Sequence, residues 1–199
     1  MNKTLHFKGE IKIATAIIDP KLPRALKRQW LATGALVHDA LKNAYLNMVA
    51  SSSVSGTVEV SEAYLILSGK APVLRHKRTE VGRNHMLAKH DVALSLFGSH
   101  AHGIEGRLKV GFISKPDSNG HSRHTMKIIH ATTEDLALMS DIVNEWAKNA
   151  FLGENTESGY GEVEAFWEVF MGDKLIGEIS LKQGTASSQL EKITECLPS

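Results

Sequence analysis

The chain has 199 residues, 42% hydrophobic and 23% charged, with 23 Lys and Arg against 22 Asp and Glu. That suffices for one well-packed domain, or one core with a sizeable insertion, and no apolar run approaches the roughly 20 residues a membrane helix needs. A single cysteine, Cys196, excludes an intramolecular disulfide framework and a cysteine-based zinc site, and Met1–Lys8 lacks the apolar core of a signal peptide, so a cytoplasmic protein is expected.

Leu5, Phe7, Ile11 and Ile13 alternate around Gly9 and predict a half-buried strand over 4–14. Asp19-Pro20-Lys21-Leu22-Pro23 interrupts regular structure and leads into Arg24, Lys27 and Arg28. Val37, Leu41, Ala44, Tyr45 and Met48 recur at helical spacing over 34–50. A serine loop (51–56) and a second strand (58–67) follow, then an irregular basic insertion over 70–101. A strand is expected over 104–113, a polar loop over 114–123, and a short strand around Met126, Ile128 and Ile129. Thr132 with Asp135 forms a capping-box pattern, and Leu136, Met139, Ile142, Val143, Trp146 and Ala150 make one apolar helix face that Gly153 ends. Two strands, 162–171 and 175–181, join through Gly172-Asp173, and residues 183–199 read as a polar C-terminal tail. The order β-α-β, β-α-β is the split βαβ pattern of an α+β, ferredoxin-like or RRM-like single domain over 1–199, with two helices on one face of an antiparallel sheet.

The net charge of +1 conceals an asymmetry. Residues 1–130 hold 19 Lys and Arg and 9 Asp and Glu, whereas residues 131–199 hold 4 and 13. Such a split points to nucleic-acid contact or to complementary self-association. Arg75-His76-Lys77-Arg78, followed by Arg83 and Lys89, can track a polyanion by releasing counterions. Aromatic residues near this stretch are scarce, Phe97 being the close one, which favours backbone and shape contacts over base readout. His100, His102, His121 and His124 read as solvated loop histidines, since no cysteine and no H-E-x-x-H accompany them. Asp19, in its Pro-bounded loop, is the acid that most resembles a lone catalytic carboxylate, but an Asp before Pro reads more readily as a turn residue. Neither a nucleophile elbow nor a phosphate-binding loop of the Walker type is present, and no cofactor is expected.

The most specific string is Gly153-Glu154-Asn155-Thr156-Glu157-Ser158-Gly159-Tyr160-Gly161-Glu162-Val163, which leaves the second helix and enters a strand. It resembles the C-terminal glycine-rich loop of the RAMP superfamily of CRISPR-associated proteins. Thr33-Gly34-Ala35-Leu36-Val37-His38-Asp39-Ala40-Leu41-Lys42-Asn43-Ala44 is similar to the segment that opens that family's first helix after an RNA-contacting loop. Thr33, His38 and Asp39 depart from it, replacing a proline, an arginine and a glycine. Leu96-Phe97-Gly98 is similar to a motif of the effector backbone subunits, especially those of type IV.

The resemblance spans most of 3–181 and implies a non-catalytic subunit that oligomerises along a CRISPR RNA (crRNA) in antiviral or antiplasmid defence. Such a subunit grips phosphates and leaves bases free to pair with target DNA or RNA. Its partners would be crRNA, copies of itself in a helical filament and other effector subunits. On this reading the phosphate ligands or their supporters are expected to be Lys21, Arg24, Lys27, Arg28, Lys42, Arg75, Lys77, Arg78, Arg83, Arg107 and Lys109, with Gly159 and Gly161 permitting close backbone approach. In some type III relatives a loop aspartate cleaves target RNA; no motif ties Asp19 to it. Two rival readings stand beside this one. A metal-independent endoribonuclease of the same superfamily would use His38, His76 or another histidine as base. A self-associating structural protein would bind no RNA.

Overall fold

A computed structural model describes residues 4–19, 28–30, 32–52, 91–99, 103–112 and 117–188, with 28, 29 and 50–52 described by backbone alone. Its central sheet is antiparallel. β1 (Leu5–Ile13) lies between β7 (His121–Ile128) and β8 (Val163–Met171), β6 (Leu108–Phe112) flanks β7, and β9 (Lys174–Lys182) and β10 (Thr185–Ser188) extend the far side. Small strand pairs join β2 (Ile17–Ile18) to β3 (Arg28–Gln29), and β4 (Gly98–Ser99) to β5 (Ile104–Glu105). The helices are α1 (Gly34–Ser52), α2 over 91–97, and α3 (Thr133–Ala147). The strand order β8-β1-β7-β6, with α1 leading to β6 and α3 to β8, is the split βαβ arrangement of an α+β, ferredoxin-like fold.

Alternation builds the sandwich. Leu5, Phe7, Ile11 and Ile13 of β1, Met126 and Ile128 of β7, and Val163, Trp167 and Val169 of β8 are buried in one core with Leu36, Val37, Leu41 and Tyr45 of α1. Leu136, Met139, Ile142, Val143 and Trp146 complete it from α3. The expected capping box forms: Thr132 Oγ1 accepts from the Asp135 amide at 3.3 Å, and an Asp135 oxygen accepts from the Thr132 amide at 2.8 Å. Thr33 caps α1 likewise, its hydroxyl accepting from the Leu36 amide at 3.3 Å.

Four sequence expectations differ from the structure. β7 begins at His121, inside the stretch read as a loop, and His124 is wholly buried instead of solvated. The strand expected over 104–113 is two pieces, β5 and β6, parted at Gly106-Arg107. Residues 91–97, inside the stretch read as irregular, are helical. Finally, the stretch read as tail starts with a strand, β10, turned by Gly184 at φ +77° and tied down by the Ser140–Ser188 hydroxyl pair and the Gly184 amide on Ala147 O. Asp19 is buried. The serine loop beyond Ser52, the strand expected over 58–67, His76, His100, His102 and Cys196 lie outside the described residues.

His124 explains its own concealment. Its Nδ1 accepts from the Trp167 indole at 2.8 Å, and the Phe112 ring lies 4.6 Å from its own. Burial pushes its pKa down from 6.5 to about 4. Between those values the unfolded chain binds the proton and the folded chain does not, so stability falls as pH drops from about 6.5 towards 4. The expected loss over that window is about 3 kcal/mol. Denaturant melts at stepped pH check it, because a His124→Gln chain should lose that part of the slope.

On the face away from the helices the sequence asymmetry persists in space. Lys8, Lys12, Lys109, Arg123 and Lys127 stand on β1, β6 and β7, whereas Glu164, Glu168 and Glu178 stand on β8 and β9, with Lys182 the cation among them. Lys109 is registered opposite Lys127 and Glu168 opposite Glu178, like charge against like, whereas Glu10 stands opposite Arg123. The seam is stitched by Lys12 to Glu164 at 3.4 Å, while His121 pairs with Glu10, the carboxylate that β1 itself carries, at 3.0 Å.

Candidate nucleic-acid interface

The glycine-rich loop runs from the end of α3 to β8 through a single 3-10 turn, Thr156–Ser158. Gly153, Asn155, Gly159 and Gly161 all adopt positive φ, between 58° and 84°. Two of these glycines have different reasons. A Cβ on Gly161 would lie 1.9 Å from Leu152 O, so the close approach it permits is to its own chain. A Cβ on Gly159 would meet nothing within 4 Å, leaving that corner of the loop open. The amides of Glu154, Ser158, Gly159, Gly161 and Glu162 all donate within the chain, the first to Ile18 O at 2.9 Å and the fourth to Ala16 O at 3.0 Å. The loop is therefore held rigidly on the segment that follows β1.

The same end of the molecule carries the other family-like segment. Leu36, Asp39, Ala40, Asn43 and Asn47 of α1 face Glu145, Asn149, Gly153, Glu154 and Thr156 across a groove of about 460 Å³. Gly34 makes that placement possible, because a Cβ there would lie 2.4 Å from Val110 O of β6. Within the groove, amides and the carboxylates of Asp39, Glu145 and Glu154 line the walls, so it is no phosphate cradle by itself. Lys42, on the same helix, is half-buried, and burial pulls its ammonium below the usual lysine range against the opposing pull of Asp39. His38 meets the Phe97 ring edge-on at 5.5 Å, with its Nδ1 3.9 Å from Asp39.

The cations separate into distinct environments. Lys109 projects from β6 and pairs with the exposed Glu105 carboxylate, which that hydrogen bond holds below the ordinary glutamate range. Arg107 turns inward instead. Its Nε donates to Ser95 Oγ at 2.7 Å, its Nη1 to His130 O and Asp135 Oδ2 at 2.8 Å each, and its Nη2 to Asp135 Oδ1. That fork is spent on joining α2, β6 and the start of α3. Arg28 is described by backbone alone, paired with Ile18 in the β2–β3 ladder. Lys21, Arg24, Lys27, Arg75, Lys77, Arg78 and Arg83 lie outside the described residues.

Phe97, the aromatic side chain expected near the basic stretch, is 6% exposed and packs with Tyr45. Trp30, which sequence reasoning passed over, is 56% exposed. Its signal was available: it directly follows Lys27-Arg28-Gln29 and precedes the helical period of α1. Among the described residues no group of three His, Cys, Asp or Glu side chains could hold a metal ion, and no helix is long and apolar enough to cross a membrane.

No protein-family model matches the chain, and no curated protein matches it. Among solved structures it is similar to a chain of the crystal structure of the Csm3–Csm4 subcomplex in the type III-A CRISPR-Cas interference complex, with 12% identity and a TM-score of 0.43, covering 98% of this chain and 95% of that one.

Proposed function

We propose that this chain is a non-catalytic subunit of a CRISPR effector complex, of RAMP type, that polymerises along crRNA and grips its phosphates. One observation carries the reading. The two segments that resemble the superfamily, 33–44 and 153–163, lie far apart in sequence yet face each other across one groove. The ferredoxin-like topology puts them there, and the family-like glycines have steric reasons at Gly34 and Gly161. Base pairing would carry sequence recognition while the protein reads backbone and shape. The type IV subclass, the filament and the effector partners belong to the same proposal. So does the assignment of RNA contacts to Lys21, Arg24, Lys27, Arg28, Lys42, Arg75, Lys77, Arg78, Arg83 and Lys109.

The test is purification followed by RNA analysis. Protein expressed with a crRNA should retain nuclease-protected RNA of regular length, and affinity should fall steeply with salt. Replacing Arg75, Lys77 and Arg78 together by alanine should lower the salt slope by about 2, at about 0.7 per phosphate contact on a single strand. Protein that stays RNA-free and binds none at low salt would sink the proposal. Repeat-RNA cleavage without added metal, abolished by one His→Ala change, would replace it with the endoribonuclease reading.

A further inference from the structure

The three tryptophans of the chain are used in opposite ways. Trp146 and Trp167 are 3% and 0% exposed, and both indole N–H groups are hydrogen-bonded, to Phe151 O and His124 Nδ1. Trp30 is the most exposed large apolar side chain among the described residues. Leaving an indole in water forfeits the largest apolar burial that any side chain offers, which is a poor use of tryptophan unless something covers it.

Its mounting is firm. β3 pairs with β2, whose Ile17 is wholly buried, and Ile18 of β2 bridges to Gly153 while accepting the Glu154 amide. Three residues beyond Trp30, Thr33 caps α1. Trp30 thus directly follows a short ladder fixed between the core and the start of the glycine loop, three residues ahead of the cap of α1. An aromatic platform on a firm support, directly after the sequence Lys27-Arg28-Gln29, suits a partner that offers both a flat π-face and negative charge. An unpaired nucleobase on a phosphodiester strand offers both, whereas bases inside a duplex have their faces already stacked.

Resting on the RNA-binding function proposed above, we infer that Trp30 stacks on an unpaired base of single-stranded RNA at the surface formed by the β2–β3 ladder, the start of the glycine loop and the N-terminus of α1. Because every base has a π-face, this contact discriminates single strand from duplex and is nearly blind to base identity.

Tryptophan fluorescence of the full chain tests it, with an oligouridylate, the abasic oligomer of equal length and a blunt RNA duplex as probes. The oligouridylate should quench emission, and Trp30→Phe should abolish the quench while keeping affinity within about twofold, since Phe also stacks. Trp30→Ala should weaken the oligouridylate by about 5- to 100-fold and leave the abasic oligomer unchanged. If Trp30→Ala binds both as tightly as the parent chain, stacking is overturned while RNA binding stands. If no probe binds at low salt, the RNA-binding function fails and takes this inference with it. If Trp30→Ala instead dissociates an RNA-free oligomer, with the contrast between base-bearing and abasic probes unchanged, the indole is a protein–protein contact and the inference is overturned.

Discussion

Replacing Arg107 by alanine is expected to cost the fold about 3–5 kcal/mol, because it strands the wholly buried Asp135 carboxylate without its cation. Asp135 also accepts from the Thr132 amide and hydroxyl, so the damage reaches the N-terminus of α3. The guanidinium additionally holds Ser95 Oγ and the carbonyls of Ile129 and His130. Urea melts check the magnitude. Arg107→Lys should recover only part of it, since an ammonium cannot reproduce the fork. A double change, Arg107→Ala with Asp135→Ala, should cost less than the two single losses added, because neither charge is then left buried alone. An Arg107 variant that loses RNA is expected to do so by loosening α3 and β6, which distinguishes it from Lys109, whose partner is exposed.

Alanine at Gly161 should be the most damaging change in the glycine loop. It combines a left-handed backbone, costing about 1–2 kcal/mol for a residue with a Cβ, with a collision against Leu152 O worth a further 1–3 kcal/mol, roughly, of overpacking. Gly159→Ala carries the first of those costs alone, since open space surrounds it. Thermal unfolding should therefore order the chains as parent, then Gly159→Ala, then Gly161→Ala. RNA affinity measured where all three are folded should move most at Gly159, the open corner, because the approach at Gly161 is already filled by the protein itself. A larger affinity loss at Gly161 than at Gly159 under those conditions would contradict the assignment.

The elements most legible in the sequence are those whose local chemistry and packing agree. α3 announces itself through Thr132, Asp135 and an unbroken apolar face, and β1 through strict alternation. The first half of β7 hides because Ser122 and His124 point inward, so its period of two reads as polar until Met126. β10, Thr-Ala-Ser-Ser, has no apolar rhythm; it is a strand because β9 offers an edge and Gln183 caps the Ala150 amide. At the candidate site the glycines were readable as turn points, but which of them serves the chain and which faces outward depends on Leu152, nine residues earlier than Gly161. Arg107 counted as one more cation until Asp135, remote in sequence, claimed it. Phe97 and Trp30 show the same lesson in reverse: proximity in sequence to basic residues says nothing about which ring the core absorbs.

The position of β1 at the centre of the sheet has a consequence for how the molecule is made. Its two neighbours, β7 and β8, begin more than a hundred residues later in the chain. β1 therefore leaves the ribosome ahead of both its neighbours and waits for them, since neither of its edges finds its partner until β7 and β8 have emerged. Contacts that span such separations close slowly, because loop entropy must be overcome before they stabilise anything. Meanwhile Leu5, Phe7 and Ile11 are exposed on a nascent strand with two open edges, the segment on which a chaperone, or a wrong partner, would first act.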